Sequence, residues 1–432
     1  MIARLLDRLS ARVHGADTVA KIDDVLTLAI SPDGDTRVSG SRSRTTYLRV
    51  IRDGKIGCAS STGDDAEELI ARSLAAADAG PELELLLPAP APLPAVESHA
   101  PQAAGADATA LDRLARALLE RLQQSGRRVE VWAERSSGSV QVANTRGVHA
   151  GYQATLAGVG AVVESIGAGW APPCRVHAAG AALPTLGDVE LLAAEVERRL
   201  APPIMESYRP LEQPLICLAP RAAATFLRPL RAALAGYEAW LGRSPLRDRL
   251  GERVADERLS VADDPLAPAR PASRPVDDDG VVSRQLPLIE RGRLLGFLAD
   301  LELGARAGVP STGHGWRTPN ATSRVGCTNL RIAPGIEGPA TLRTMLGRGL
   351  LIEDLEWRGG PNPLAGTLTL SAPWTYLVEG GVVRGRLEGV TLSGNVFRSL
   401  VQLAAIGNDV TWCGAICTPS LLVEGLTVTC HP

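Results

Sequence analysis

The sequence predicts an α+β protein: an N-terminal antiparallel sheet with helices, followed by a C-terminal, mostly antiparallel β-sheet domain. Three observations predict it. Long stretches with strand-like alternation, such as Asp17 to Ser31 and Arg128 to Asn144, end in turn-forming residues. Strands and helices come in groups, so the βα alternation of a parallel sheet is missing. Beyond Leu259 the chain is mainly short strands separated by glycine turns.

Met1 to Val13 places Ile2, Leu5, Leu6, Leu9 and Val13 on one helical face. Arg4, Asp7, Arg8 and Arg12 interrupt it, which argues for an amphipathic helix and against a secretory signal. Strands are expected over Asp17–Ser31 and Arg44–Ser60, punctuated by Pro32-Asp33-Gly34-Asp35 and Asp53-Gly54-Lys55. A helix over Asp64–Ala77 stops at Gly80-Pro81. The Pro/Ala-rich stretch of about 81–108 reads as a surface connector. Next come a helix over Leu111–Leu122 and a hairpin of Arg128–Asn144 with Val148–Glu164, turning at Asn144-Thr145-Arg146-Gly147. A helix over Asp188–Leu200 follows.

Prolines between Ala201 and Pro214 mark a boundary. They divide the chain into an N-terminal α+β domain, 1–205, and a C-terminal β-rich domain, 206–432. In the second, Ala222–Trp240 reads as helix, with Pro229 kinking it or starting a new turn. A helix is expected near Asp300–Ala307, a hairpin turn at Glu379-Gly380-Gly381, and a last strand at Leu426–Val428.

Composition narrows the function. The chain has 432 residues, 45% of them apolar, with formal net charge −3, enough for a large core in two domains. Lys21 and Lys55 are the only lysines. Arginines are interspersed with acids, and no basic block able to neutralise phosphates occurs, so no nucleic-acid partner is expected. No uncharged apolar run approaches the ~20 residues that span a bilayer, so no membrane partner is expected. Seven dispersed cysteines, an odd number, fit reduced thiols in the cytoplasm.

Several chemistries are excluded. Lys55 lies in a hairpin turn, not a phosphate-binding loop, and Gly158-Val159-Gly160 and Gly347-Arg348-Gly349 lack the third glycine of a dinucleotide fingerprint. No Gly-x-Ser-x-Gly nucleophile elbow occurs. Cys413, Cys417, Cys430 and His431 cluster near the C-terminus, but Cys413-x-x-x-Cys417 lacks the tight knuckle spacing of common structural zinc sites, which favours plain thiols. Asp277-Asp278-Asp279-Gly280 is like a calcium loop only superficially, since Pro275 falls where the first oxygen ligand belongs. It reads as an acidic turn between strands.

Four pieces recur at telling spacing: Asp263-Asp264-Pro265, Asp277-Asp278-Asp279-Gly280, the stretch Leu288 to Phe297, and Pro310-Ser311-Thr312-Gly313-His314-Gly315. In this order they resemble the C-terminal domain of the TldD/TldE (PmbA) family. The resemblance runs from about Thr18 to the C-terminus and is densest after Ser244. It implies a two-subunit peptidase in which only the TldD subunit carries zinc, on an HExxxH helix completed by a distant cysteine. The matching stretch here, Cys217 to Arg228, has no histidine and no glutamate, and no histidine lies between His177 and His314. Cys413 falls near the position of the family's cysteine. The resemblance is therefore to the metal-free TldE/PmbA-type subunit, with no catalytic residue and no metal ligand of its own.

The implied partner is a zinc-bearing TldD-like paralogue in a heterodimer. The implied substrate is an unstructured peptide, paired as an extended strand with a sheet edge in an enclosed cavity. Ser311, Thr312, Gly313, His314 and Trp316 are the candidate substrate-binding residues. His314 stands where the family usually has Asn, and the flanking glycines allow close backbone approach. Gly394-Asn395 and Gly407-Asn408-Asp409 match the family as Asn-containing turns. Two other functions stay open: a homodimeric peptide-binding protein without hydrolytic activity, and a specialised enzyme maturing a ribosomal peptide through residues such as His314.

Overall fold

The computed structural model describes residues 2–9, 11–166, 172–205, 214–318, 320, 322–358 and 364–430. Met1 and His431, singled out above, lie outside the described residues.

Six antiparallel strands form the N-terminal sheet: β1 (Gly15–Ile30), β2 (Thr36–Arg52), β3 (Lys55–Ser61), β4 (Arg127–Asn144), β5 (His149–Ser165) and β6 (Cys174–Gly180), in the order β3-β2-β1-β4-β5-β6. Alternation sets the register. Val19 faces Tyr47 on one side and Val142 on the other, and these apolar residues share a core. The β4–β5 turn closes on Asn144, whose side-chain oxygen accepts from the Arg146 and Val148 amides.

The helices are α1 (Ile2–Asp7), α2 (Ala66–Asp78), the single turn α3 (Pro101–Ala104), α4 (Ala108–Leu122) and α5 (Leu186–Leu200). Asp65 and Asp107 cap α2 and α4, and Thr185 with Asp188 forms a capping box on α5. Leu111, Leu118 and Leu122 of α4 pack with Val189 and Val196 of α5 against Val131 and Val159 of the sheet.

The C-terminal half continues through β7 (Ile216–Leu218), α6 (Pro220–Phe226), α7 (Arg228–Ala233), α8 (Gly236–Trp240), β8 (Val261–Asp263), β9 (Leu286–Glu290), β10 (Arg293–Leu294), α9 (Leu301–Ala307), β11 (Gly315–Arg317), β12 (Ser323–Val325), β13 (Leu330–Ile332), β14 (Arg348–Trp357), β15 (Thr367–Glu379), β16 (Val382–Leu387), β17 (Val390–Asn395), β18 (Leu403–Ile406), β19 (Thr411–Cys413), β20 (Ile416–Thr418), β21 (Leu421–Val423) and β22 (Thr427–Cys430). One six-stranded sheet runs β10-β9-β8-β13-β20-β19, and an eight-stranded sheet is centred on β7, β14 and β15. The mixed α+β class holds. Two strand pairs, β14–β7 and β13–β20, are parallel, because strands distant in the sequence meet within one sheet.

The two halves share a core. Trp374 and Tyr376 of β15 are buried with α4 and α5, and the Tyr376 hydroxyl donates to the Arg199 carbonyl at 3.0 Å.

Several local expectations shift. Helix α1 ends at Asp7, after which the chain turns through the Leu9 amide bonded to the Leu6 carbonyl. The stretch 44–60 belongs to two strands folded about Asp53-Gly54, both with positive φ. Strand β6 was not anticipated. Ala222–Trp240 breaks into three short helices: Pro229 opens α7, and Gly236 donates to the Leu298 carbonyl with no room for a side chain. Asn395 is not in a tight turn. It caps the helix Val396–Val401 by accepting from the Arg398 amide. No helix among the described residues is long and apolar enough to cross a membrane.

Helix α2 sits directly on β3 at Gly57. A Cβ there would meet the Ser73 carbonyl oxygen at 2.1 Å and the Ala77 amide nitrogen at 2.3 Å, backbone that cannot swing aside. Gly57→Ala is therefore expected to cost at least the 1–3 kcal/mol typical of overpacking, about 2 kcal/mol or more in urea unfolding. An unchanged urea midpoint would show that α2 moves away from the sheet without penalty.

Candidate functional site

The motifs that drew attention in the sequence converge on one buried junction. The acidic turn 277–280 and the loop 311–317 meet strands β1 and β2 of the N-terminal sheet. Asp17 and Asp279 both contact Arg49 and Arg317: Arg49 reaches Asp17 at 2.7 Å and Asp279 at 3.1 Å, while Arg317 pairs with Asp17 and, at 2.9 Å, with Asp279. Lys21 of β1 pairs with Asp278, which also accepts from the Arg317 amide at 2.7 Å. Arg49 extends to Glu302 on α9, and Asp279 accepts from the Leu301 amide that starts α9. All three aspartates of the turn are buried, so the acidic turn is internal, not a solvated surface feature.

Burial and the neighbouring Asp279 push the Asp277 carboxyl up to about 7, although backbone amides of Gly315 and Val281 favour its charged form. Burial opposes ionisation of Asp279 too, but Arg49 and Arg317 outweigh it and hold the group below the usual carboxylate range.

Each candidate residue of the loop has a definite place. His314 is buried, with Nε2 at 2.9 Å from Asp263 and Nδ1 at 2.9 Å from the Thr312 hydroxyl. Thr312 donates to the Ala299 carbonyl and accepts from the Ala299 amide. The Ser311 hydroxyl points to the same carbonyl. Gly313 has φ +81°, and a Cβ would lie 3.1 Å from the Val282 carbonyl, so the close approach its glycine permits is to its own chain. Trp316 is half-buried, with the Arg274 guanidinium 3.9 Å from its ring centre and Lys21 at 5.7 Å.

The open space lies elsewhere. A cleft of about 710 Å³ runs between the two halves. His177 of β6 and Glu195, Arg198 and Arg199 of α5 line one wall; Arg221 of α6, Arg270, Glu353 of β14 and the β19 segment line the other. Strands β6 and β19 are each the outer strand of their described sheet, and residues of both line this cleft. Arg198 and Arg199 hold Glu353, Arg199 also holds Glu195, and Arg221 pairs with Asp354 at 3.1 Å. His177 stacks on Trp132 and approaches Glu134 at 3.6 Å, which lowers the Glu134 pKa.

Residues 213–430 match the family described as PmbA/TldA metallopeptidase C-terminal domain. The chain belongs to the PmbA/TldD family. Among its relatives, the Metalloprotease PmbA homolog of Haemophilus influenzae is 27% identical over 241 residues, 56% of this chain and 50% of that protein. Metalloprotease PmbA of Escherichia coli O157:H7 is 25% identical over 288 residues, 65% of this chain and 61% of that protein. The chain thus spans half to three-fifths of the length of these relatives. The fold is shared end to end with TldE from Thermococcus kodakarensis, at TM-score 0.88 and 20% identity over 99% of both chains. A Thermotoga maritima protein described as a candidate modulator of DNA gyrase gives TM-score 0.88 at 22% identity, again over 99% of both.

In this PmbA/TldD member, Pro220 and Arg221 at the start of α6 and Cys413 of β19 line one cleft, although 192 positions of sequence, counted from 221 to 413, separate them. The sequence flagged both places through the resemblance but gave no sign of Arg270, Trp412 or the α5 arginines beside them.

The buried junction yields two predictions. Arg317→Met leaves Asp17 and Asp279 sharing one guanidinium; breaking a buried pair this way is expected to cost about 3–5 kcal/mol in denaturant unfolding. Wild-type stability in that variant would mean that the junction does not hold the halves together. Asp277 has a raised folded-state pKa, so its contribution is fully present below the unfolded carboxylate value of 3.8 and is lost as pH rises through about 7. Asp277→Asn should therefore gain stability relative to the wild type as pH rises from about 4 to 7; unfolding curves across that range with a pH-independent difference would contradict it.

Proposed function

We propose that this chain is a zinc-free, TldE/PmbA-type subunit that closes with a zinc-bearing TldD-like paralogue around an unstructured peptide, in the cytoplasm. The observation that carries this reading is the chemistry at α6. Where the resemblance sets a metal-binding helix, Ala222, Ala223 and Ala224 are buried and donate nothing, and Arg221 presents a cation paired with Asp354. Burial pushes the Cys413 thiol up to about 11, and α6 carries no histidine or carboxylate to share a metal with it. Three or more His, Cys, Asp or Glu side chains grouped to hold a metal do not occur among the described residues. This donor set does not fit zinc, and no catalytic step is assigned to it. The two outer strands whose residues line the cleft support binding of an extended peptide by backbone pairing, which reads extension and not sequence. Seven free cysteines accord with a reducing compartment.

The test is co-expression with the HExxxH paralogue of the same genome. The expected outcome is a stable pair with about one zinc per pair, peptidase activity on unstructured peptides in the pair only, and no stoichiometric zinc in this chain alone. Elemental analysis giving about one zinc per isolated chain, or an active homodimer, would overturn the proposal.

A further inference from the structure

Among the described arginines that line the cleft, Arg270 differs from the rest. Arg198, Arg199 and Arg221 each hold a carboxylate, whereas Arg270 has none, and its Nε is buried without a hydrogen-bond partner. Its guanidinium lies 4.7 Å from the ring centre of Trp412, on the edge strand β19. Burial lowers its pKa, with no neighbouring carboxylate to offset the loss of water. The preceding residue, Ala269, has φ +56°, a left-handed conformation that side-chain-bearing residues rarely adopt. Two backbone bonds hold it there: its amide donates to the Glu97 carbonyl at 2.7 Å, and its carbonyl accepts from the Ala181 amide at 3.1 Å. The base of Arg270 is thus fixed to both the connector and the end of β6, and Pro271 restricts the chain on its other side. A half-desolvated, pre-positioned guanidinium with an aromatic platform and no internal anion is a receptor for a planar anion.

We infer that Arg270, held on Trp412, is a subsite for a carboxylate of the bound peptide. The subsite rests on the reading that the cleft receives an extended peptide. The guanidinium offers two parallel N–H donors to a carboxylate, which an ammonium does not. The carboxylate comes from the peptide C-terminus or from an acidic side chain; the chemistry is the same.

The experiment measures binding of a fluorescently labelled unstructured peptide to the full chain and to its complex with the paralogue. Three versions of the peptide are compared: one with free C-terminus and acidic side chains, one amidated, and one with Asp and Glu replaced by Asn and Gln. The wild type should lose at least tenfold in affinity with one of the two altered peptides, and which one identifies the source of the carboxylate. Arg270→Gln should lose the same factor on the parent peptide and nothing further on the peptide that lacks the recognised group. Arg270→Lys should fall between. Equal binding of all three peptides by the wild type, or undiminished binding of the parent by Arg270→Gln, overturns the subsite and leaves the peptide reading intact. Absence of peptide binding by both the wild-type chain and the complex overturns both. Should Arg270→Gln fail to fold, the three-peptide comparison on the wild type decides alone.

Discussion

Asp17 and Asp279 share two guanidinium groups, Arg49 and Arg317, at a point sealed from water between the N-terminal strands and the C-terminal turn. Each member comes from a different segment: β1, β2, the acidic turn and β11. Ions removed from water need partners, so the four segments must meet in one arrangement for any of them to be satisfied. The loop 311–317 and helix α9 are placed by the same groups, through Asp277 on the Gly315 amide and Asp279 on the Leu301 amide. Such a cluster contributes less net stability than apolar packing of the same volume would; its effect is to specify one relative placement of the halves.

That placement creates the cleft. With β1 and β2 fixed against the turn, α4 and α5 lie against Trp374 and Tyr376 of β15, so one hydrophobic core continues across both halves. Residues of α5 and β6 line the cleft together with residues of α6 and β19, and several of its charged side chains are paired. Ion pairs and residues of two outer strands line the cleft, which suits a ligand that brings its own backbone donors and acceptors.

The histidine that looked most like chemistry in the sequence has both ring nitrogens occupied by Asp263 and Thr312 inside this same framework. The arginine that looked like any other, Arg270, has the least internal compensation of those lining the open space. Motif position and chemical availability are separate properties. A loop can carry a family's signature because it is needed for folding, and exposure to a cleft depends on what the neighbouring segments leave uncovered.

The sequence by itself determined the long antiparallel strands and the helices over 64–77, 111–122 and 188–200, because alternation and helical periodicity act over a few positions. The helix starts were set by caps the pattern did not single out, Asp65, Asp107 and Thr185, at Ala66, Ala108 and Leu186. It also determined that Cys217 to Arg228 carries no imidazole or carboxylate, since absence of a residue type needs no coordinates. Only the tertiary structure decided that Asp277, Asp278 and Asp279 are internal, that His314 is enclosed, that β7 and β14 run parallel, and that Arg221, Arg270 and Cys413 share one cleft. Those facts depend on contacts between residues tens to hundreds of positions apart. Whether a charge is solvated or paired is set by the partner that folding brings to it, and the local sequence of an Asp or an Arg holds no record of that partner.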